Sequence, residues 1–218
     1  MTFLKDLQNK FKKTISNTLN RAFKKAEVKI RERLKNESVD IWKNTTTYKS
    51  LTTKGPGKLI HQFGFPDGDA VYMVDGFLEA AADSLDIRFR DFTGGADAFF
   101  NGGLQIFTLK QNLDKALDSE FASFSSEKGF SIDWAEWLLV RGNEVIIADY
   151  IFRPGFVEYS RSGNGIMQKL KADAFWRVPP SHSGIIGDNW LTRSLQSSIK
   201  QIEKNYQVII ETEIGAVL

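Results

Sequence analysis

The chain of 218 residues has the length of one large domain or two small ones, and its 42% hydrophobic and 26% charged residues suffice for a sizeable packed core. The absence of cysteine excludes disulfides, thiolate metal sites, iron–sulfur clusters and cysteine nucleophiles, and two histidines, His61 and His182, exclude a three-histidine zinc site within one chain. The net charge of +2 conceals an asymmetry: residues 1–36 carry eleven basic and three acidic side chains, while the other 182 residues carry 18 and 24, so a basic arm sits on an acidic body. No apolar run approaches the roughly 18 residues that span a bilayer, and the N-terminus lacks the uninterrupted apolar stretch of a secretory signal.

The arm has a helical period. Leu4, Leu7, Phe11, Ile15, Leu19, Ala22, Ala26, Ile30 and Leu34 recur at steps of three or four, and neither Gly nor Pro occurs in residues 1–54. This predicts an amphipathic helix from about Thr2 to about Trp42, about 60 Å long at 1.5 Å per residue. Such a helix is stable only if its apolar stripe is covered. The cover can be this chain or another copy, a membrane surface for which Phe and Leu opposite Lys is also the pattern, or the arm can meet nucleic acid.

Residues 44–69 read as a loop or hairpin region, with Thr45, Thr46 and Thr47 and the turn signals Gly55-Pro56-Gly57 and Phe65-Pro66-Asp67-Gly68. A helix follows from about Asp69, its expected N-cap, to Ser84. Leu85, Ile87 and Phe89 alternate with Asp86, Arg88 and Arg90, a half-buried strand. Glycine pairs at 94–95 and 102–103 bracket Phe99 and Phe100, which read as interface anchors. Residues 104–109 are strand-like, and Leu113, Ala116, Leu117 and Phe121 predict a short helix ending in a Ser-rich turn at 123–126.

Another helix is expected from Asp133 to Val140, with Asp133 and Glu136 spaced as a capping-box variant and Gly142 closing it. The run Glu144 to Phe152 reads as a central strand, 153–165 as a loop, and 175–178 as a strand ended by Pro179-Pro180. Asp188 caps a last helix through Leu191, Leu195, Ile199 and Ile202, and Tyr206 to Ile214 reads as a closing strand. Without regular βαβ alternation, the expected class is α+β: a long N-terminal amphipathic helix, then a mixed, mainly antiparallel sheet packed with helices. The expected division is a helical arm, 1–43, and one α+β body, 44–218.

Catalytic patterns are weak. His182 can be written with Ser160, Ser162 or Ser181 and Asp188, but no nucleophile elbow surrounds these serines, and His182 reads as an exposed loop residue. His61, among Leu59, Ile60 and Phe63, reads as structural. The loop Ser160–Gly165 lacks the Lys-Ser/Thr ending of a phosphate-binding loop. Asp114, Asp118 and Glu120 are not spaced to share a helix face, as a metal-dependent nuclease would need. No catalytic, metal or cofactor residues are assigned. The charged contact residues read from the arm are Lys10, Lys12, Lys13, Lys24, Lys25 and Arg31, whereas Arg161, Arg177 and Arg193 read as loop anchors.

The stretch Ser131–Gly142, then Val145–Tyr150, Tyr159–Met167, Trp176-Arg-Val-Pro-Pro180 and Asp188-Asn-Trp-Leu-Thr-Arg193 resembles virion structural proteins of contractile-tailed bacteriophages, the neck or tail-completion proteins of the head–tail connector. The resemblance covers roughly residues 130–195, with Tyr48–Leu51 and Gly64–Gly68 fitting loosely. It implies a non-enzymatic virion protein, made in the host cytoplasm. Copies would form a hexameric or dodecameric ring, with a portal or adaptor on one side and tail-terminator or tube proteins on the other. Channel DNA would be a non-specific contact, and a membrane is not an expected partner. The alternative reading is a membrane- or nucleic-acid-binding protein acting through the basic helix.

Overall fold

The structure is a computed structural model and describes residues 2–66, 68–94, 100–107, 110–126, 129–156, 165–170 and 174–216. In chain order the elements are α1 (Thr2–Lys43), α2 (Thr46–Thr52), α3 (Leu59–Phe63), α4 (Asp69–Asp83), β1 (Asp86–Gly94), β2 (Phe100–Phe107), α5 (Lys110–Leu117), β3 (Phe124–Ser125), β4 (Ser131–Ile132), α6 (Trp134–Leu139), β5 (Ile147–Ala148), β6 (Tyr150–Pro154), β7 (Gly165–Lys169), β8 (Phe175–Trp176), α7 (Trp190–Ser197) and α8 (Ile199–Gly215). The class is α+β. Instead of the single mixed sheet that the sequence predicts, the strands among the described residues form four separate antiparallel pairs: β1–β2, β3–β4, β5–β8 and β6–β7.

Two compact units are present. The first comprises Met1–Glu37, Leu85–Phe107 and Lys200–Leu218, and the second Ser38–Ser84 and Thr108–Ile199. The division therefore falls within α1, and the first unit also takes up the β1–β2 hairpin and nearly all of α8.

In the first unit the predicted stripe of α1 is buried from Ala22 onward, with Ala26, Ile30 and Leu34 at 1%, 0% and 0% exposure. The predicted alternation of β1 holds: Ile87 is buried, and Arg88 and Arg90 point outward. The β1–β2 register slips between Arg90 and Thr93, where Asp91 and Phe92 oppose Gly102 alone. This bulge frees the Phe92 backbone from the ladder. The amide of Asn20 on α1 takes up both freed groups, accepting from Phe92 N–H at 2.7 Å and donating to Phe92 C=O at 3.1 Å. The Phe92 ring then packs on Phe23, centroids 5.0 Å apart.

The expected strand at 206–214 is helix. Ile202 and Glu213, eleven residues and three turns apart, share a face. Ile202 and Glu213 are buried, while Val208 is 57% exposed. No Gly or Pro breaks the run before Gly215. The apolar cluster at 208–210 imitates strand alternation locally, but the longer 3.6-residue period governs.

The second unit is built on aromatic packing. Trp134 is fully buried, with Phe77 and Phe65 ring centroids at 5.2 and 5.5 Å, and its indole N–H donates to Phe121 C=O at 2.9 Å. Buried Trp42 donates to Leu191 C=O at 3.1 Å. The segment expected as a loop or hairpin, 44–69, contains α2 and α3. Thr45 caps α2, its hydroxyl accepting from Tyr48 N–H, and Gly64 at φ 71° ends α3. Each helix is too short to reveal a period.

The expected central strand Glu144–Phe152 is divided. Asp149 adopts φ 63°, its N–H bonds Ala174 C=O and its C=O accepts from Leu170 N–H, which turns the chain between β5 and β6. Caps also shift: Asn189, not Asp188, caps α7 through a box with Thr192, and Gly68 precedes α4, leaving Asp69 in its first turn. Asp133 flanks α6 without capping it and accepts instead from the Ser131 hydroxyl at 2.6 Å.

Candidate functional site

The first turns of α1 differ from the rest of the helix. Leu7 and Phe11 lie on the predicted stripe, yet they are 54% and 67% exposed. Lys10, one turn from Leu7, is exposed, Lys13 is exposed on the other side of the helix, and Lys12 is half-buried. An apolar pair with a lysine alongside and open to solvent is the chemistry of a contact surface.

Further along, α1 and β1 of the first unit enclose a groove of about 370 Å³. Phe23, Phe89 and Phe92 give it an aromatic lining, and Lys24, Arg31, Arg88 and Arg90 give it cations, opposed by Glu27 and Asp91. Arg31 is built into the fold. Its guanidinium bonds Glu27 Oε1 at 2.7 and 3.0 Å, donates to Ile87 C=O, and lies 5.0 Å above the Phe89 ring. Lys24 and Arg90 are exposed at the rim, and Lys25 is exposed on α1. Of the predicted contact residues, then, Lys10, Lys13, Lys24 and Lys25 present their charge to solvent, and Arg31 shapes the groove wall. Phe100 begins β2 opposite Gly94, and Phe99 lies outside the described residues.

His182 is not an exposed loop residue. It is half-buried, with Nδ1 3.0 Å from the Thr47 hydroxyl. Burial, reinforced by the positive charge of Lys58, pushes its pKa below the ordinary histidine value. Asp188 pairs instead with Arg193 at 3.3 Å, whose other arm holds Ser183 C=O at 2.8 Å, the anchoring role read from the sequence. Arg177 stacks over Phe175 at 5.7 Å, and Ser160, Arg161 and Ser162 lie outside the described residues. His61 is buried and its Nε2 accepts from Gly55 N–H at 3.1 Å. Among the described residues no three His, Asp or Glu side chains gather as metal ligands, and no helix is long and apolar enough to cross a membrane.

The sequence reading missed a polar cluster in the second unit. Asp75 accepts from Tyr48 at 2.8 Å with one oxygen and from Lys43 at 2.8 Å with the other. Burial, then the hydrogen bond and charge of Asp75, push the Tyr48 phenol from 10.0 up to about 12. The folded state thus keeps a proton that the unfolded chain releases. The resulting stabilisation is complete below pH 10 and is lost as pH rises through 12. Asp75→Asn is expected to lower this tyrosine's midpoint, followed by tyrosinate absorbance and assigned by difference against Tyr48→Phe. An unchanged midpoint would show that Asp75 does not set it.

Set against known proteins, the chain matches no family model, no curated protein and no solved structure.

Proposed function

We propose that this chain is a structural subunit of a bacteriophage head–tail connector, a virion protein whose copies assemble into a ring between portal or adaptor and tail, with the first turns of α1 making a subunit contact. The observation that carries the reading is the exposure of Leu7 and Phe11 on a stripe that is otherwise buried from Ala22 onward. Covering the exposed part of each would contribute about 1–2 kcal/mol. The likeness of residues 130–195 to neck and tail-completion proteins supplies the particle, and Phe156, 87% exposed just after β6, adds an apolar anchor of the kind interfaces use.

Mass photometry of the purified chain with isolated phage heads or tails tests this. The full chain is expected to be captured, and Leu7→Ser/Phe11→Ser to lose capture while keeping its helical circular dichroism. A full chain that ignores both particles, or a variant captured as well as the parent, would sink the reading. The exposed Lys24 and Arg90 at the groove rim favour nucleic-acid contact as a second reading. That binding would weaken steeply with salt and be lost in Lys24→Glu/Arg90→Glu.

A further inference from the structure

We propose that the Leu7–Phe11 face of α1 docks on the acidic face of α4, where Phe121 lies across it, on a second copy of this chain. This rests on the assembly reading above and names the surface that receives the arm.

α4 carries four acidic residues and no basic one. Asp69, Tyr72, Gly76, Glu79 and Asp83 follow at steps of three, four, three and four, so they form one stripe along the helix. Asp69, Glu79 and Asp83 are exposed, and Tyr72 is 66% exposed. A Cβ at Gly76 would lie 2.5 Å from the Phe121 ring, so the missing side chain is what lets Phe121 lie across the helix there. Phe121 also meets Tyr72 edge-on at 5.4 Å. The result is an apolar centre, Tyr72 with Phe121 and the neighbouring Val71 at 47% exposure, with carboxylates toward both ends of α4. The arm offers the complement: Leu7 and Phe11 with Lys10 alongside, in a 36-residue stretch with eleven basic and three acidic groups.

Leu7, Phe11 and Tyr72 are each more than half exposed, and the two faces differ from each other. Their pairing is therefore head-to-tail, the kind that closes into a ring when the rotation permits. Apolar contact supplies the affinity, and the opposed charges select the register and make association salt-sensitive. Asp75, also on α4, accepts from Lys43 and Tyr48 and lies off this stripe.

Charge exchange tests the pairing. Lys10→Glu/Lys13→Glu and Glu79→Lys/Asp83→Lys are each expected to weaken self-association by about tenfold or more. Mixing the two variants should restore it, because each arm then meets a face of opposite sign. In parallel, a benzophenone amino acid at position 11, in a mixture of isotopically light and heavy chains, should cross-link between copies to residues 69–83 or 114–121. Cross-links within one chain, to another surface, or absent both in free protein and on captured particles would overturn the proposal, as would a mixture no stronger than its parts. Capture by heads or tails is scored separately. Capture with cross-links elsewhere fails this docking alone, whereas self-association with the stated cross-links but no capture fails the connector reading alone.

Discussion

Trp134→Ala is expected to cost the second unit about 3–5 kcal/mol, the range for deleting a large aromatic from a core that cannot collapse around the gap. Trp134 is 0% exposed and is held by rings on two sides, Phe77 at 5.2 Å and Phe65 at 5.5 Å. Its loss also leaves Phe121 C=O without its indole partner. Two costs therefore add, a cavity and an unsatisfied acceptor. Trp134→Phe separates them, since it keeps most of the volume and removes only the donor, for about 1–2 kcal/mol. Against a total stability of about 5–15 kcal/mol for a domain, the alanine variant should unfold at a much lower urea midpoint and the phenylalanine variant only slightly earlier. The signal to follow is far-ultraviolet circular dichroism, because fluorescence loses a reporter in both. Near-equal midpoints for the two variants would show that the ring contacts contribute little and the hydrogen bond most.

The elements legible in the sequence are those whose period is long or whose boundaries are chemically marked. The nine apolar positions from Leu4 to Leu34 give α1 directly, and alternation around Ile87 gives β1. Failure came where a short local pattern competed with a longer one. Val208, Ile209 and Ile210 suggest a strand only until Ile202 and Glu213 are counted on the same helical face. Residues 144–152 read as one strand because the feature that divides them, the left-handed backbone of Asp149, is an uncommon conformation outside glycine that side-chain hydrophobicity does not encode. α2 and α3 span seven and five residues, too few turns for periodicity to register.

The candidate surface was legible in the same uneven way. A run of lysines interleaved with Leu7 and Phe11 marks an amphipathic face in one dimension. Whether a given cation is exposed or incorporated depends on neighbours distant in sequence. Arg31 illustrates this: Glu27 is one turn away and could have been anticipated, but the Ile87 carbonyl and the Phe89 ring that complete its surroundings lie more than 50 residues on. Asn20 could not be recognised either, since its role exists only because β1 bulges at Phe92. The acidic face of α4 was visible as four carboxylates in fifteen residues. Its meaning depends on Phe121 crossing Gly76, a contact the chain makes over 45 positions of sequence.

An asymmetric cost is expected at Glu213, the buried carboxylate among the described residues of α8. Its side chain is 8% exposed, and it meets Arg33 at 2.9 Å and Lys29 at 3.9 Å, both on α1 of the same unit and 50% and 72% exposed. The cations retain much of their water, but the carboxylate has given up most of its own. Removing Arg33 therefore leaves a dehydrated anion with only the more distant Lys29, whereas removing the anion returns two cations to solvent. Arg33→Met should cost about 2–3 kcal/mol, below the range for fully buried pairs because water reaches the guanidinium. Glu213→Gln, which keeps an acceptor of the same shape, should cost about 1 kcal/mol. In Arg33→Met/Glu213→Gln the loss should fall short of the sum, because the stranded charge is gone. Urea denaturation of the four proteins gives the cycle, and amide exchange along α8 locates the loosening. Equal single costs, or an additive double variant, would mean that the pair is solvated like a surface ion pair, and that apolar burial such as that of Ile202 holds α8 instead.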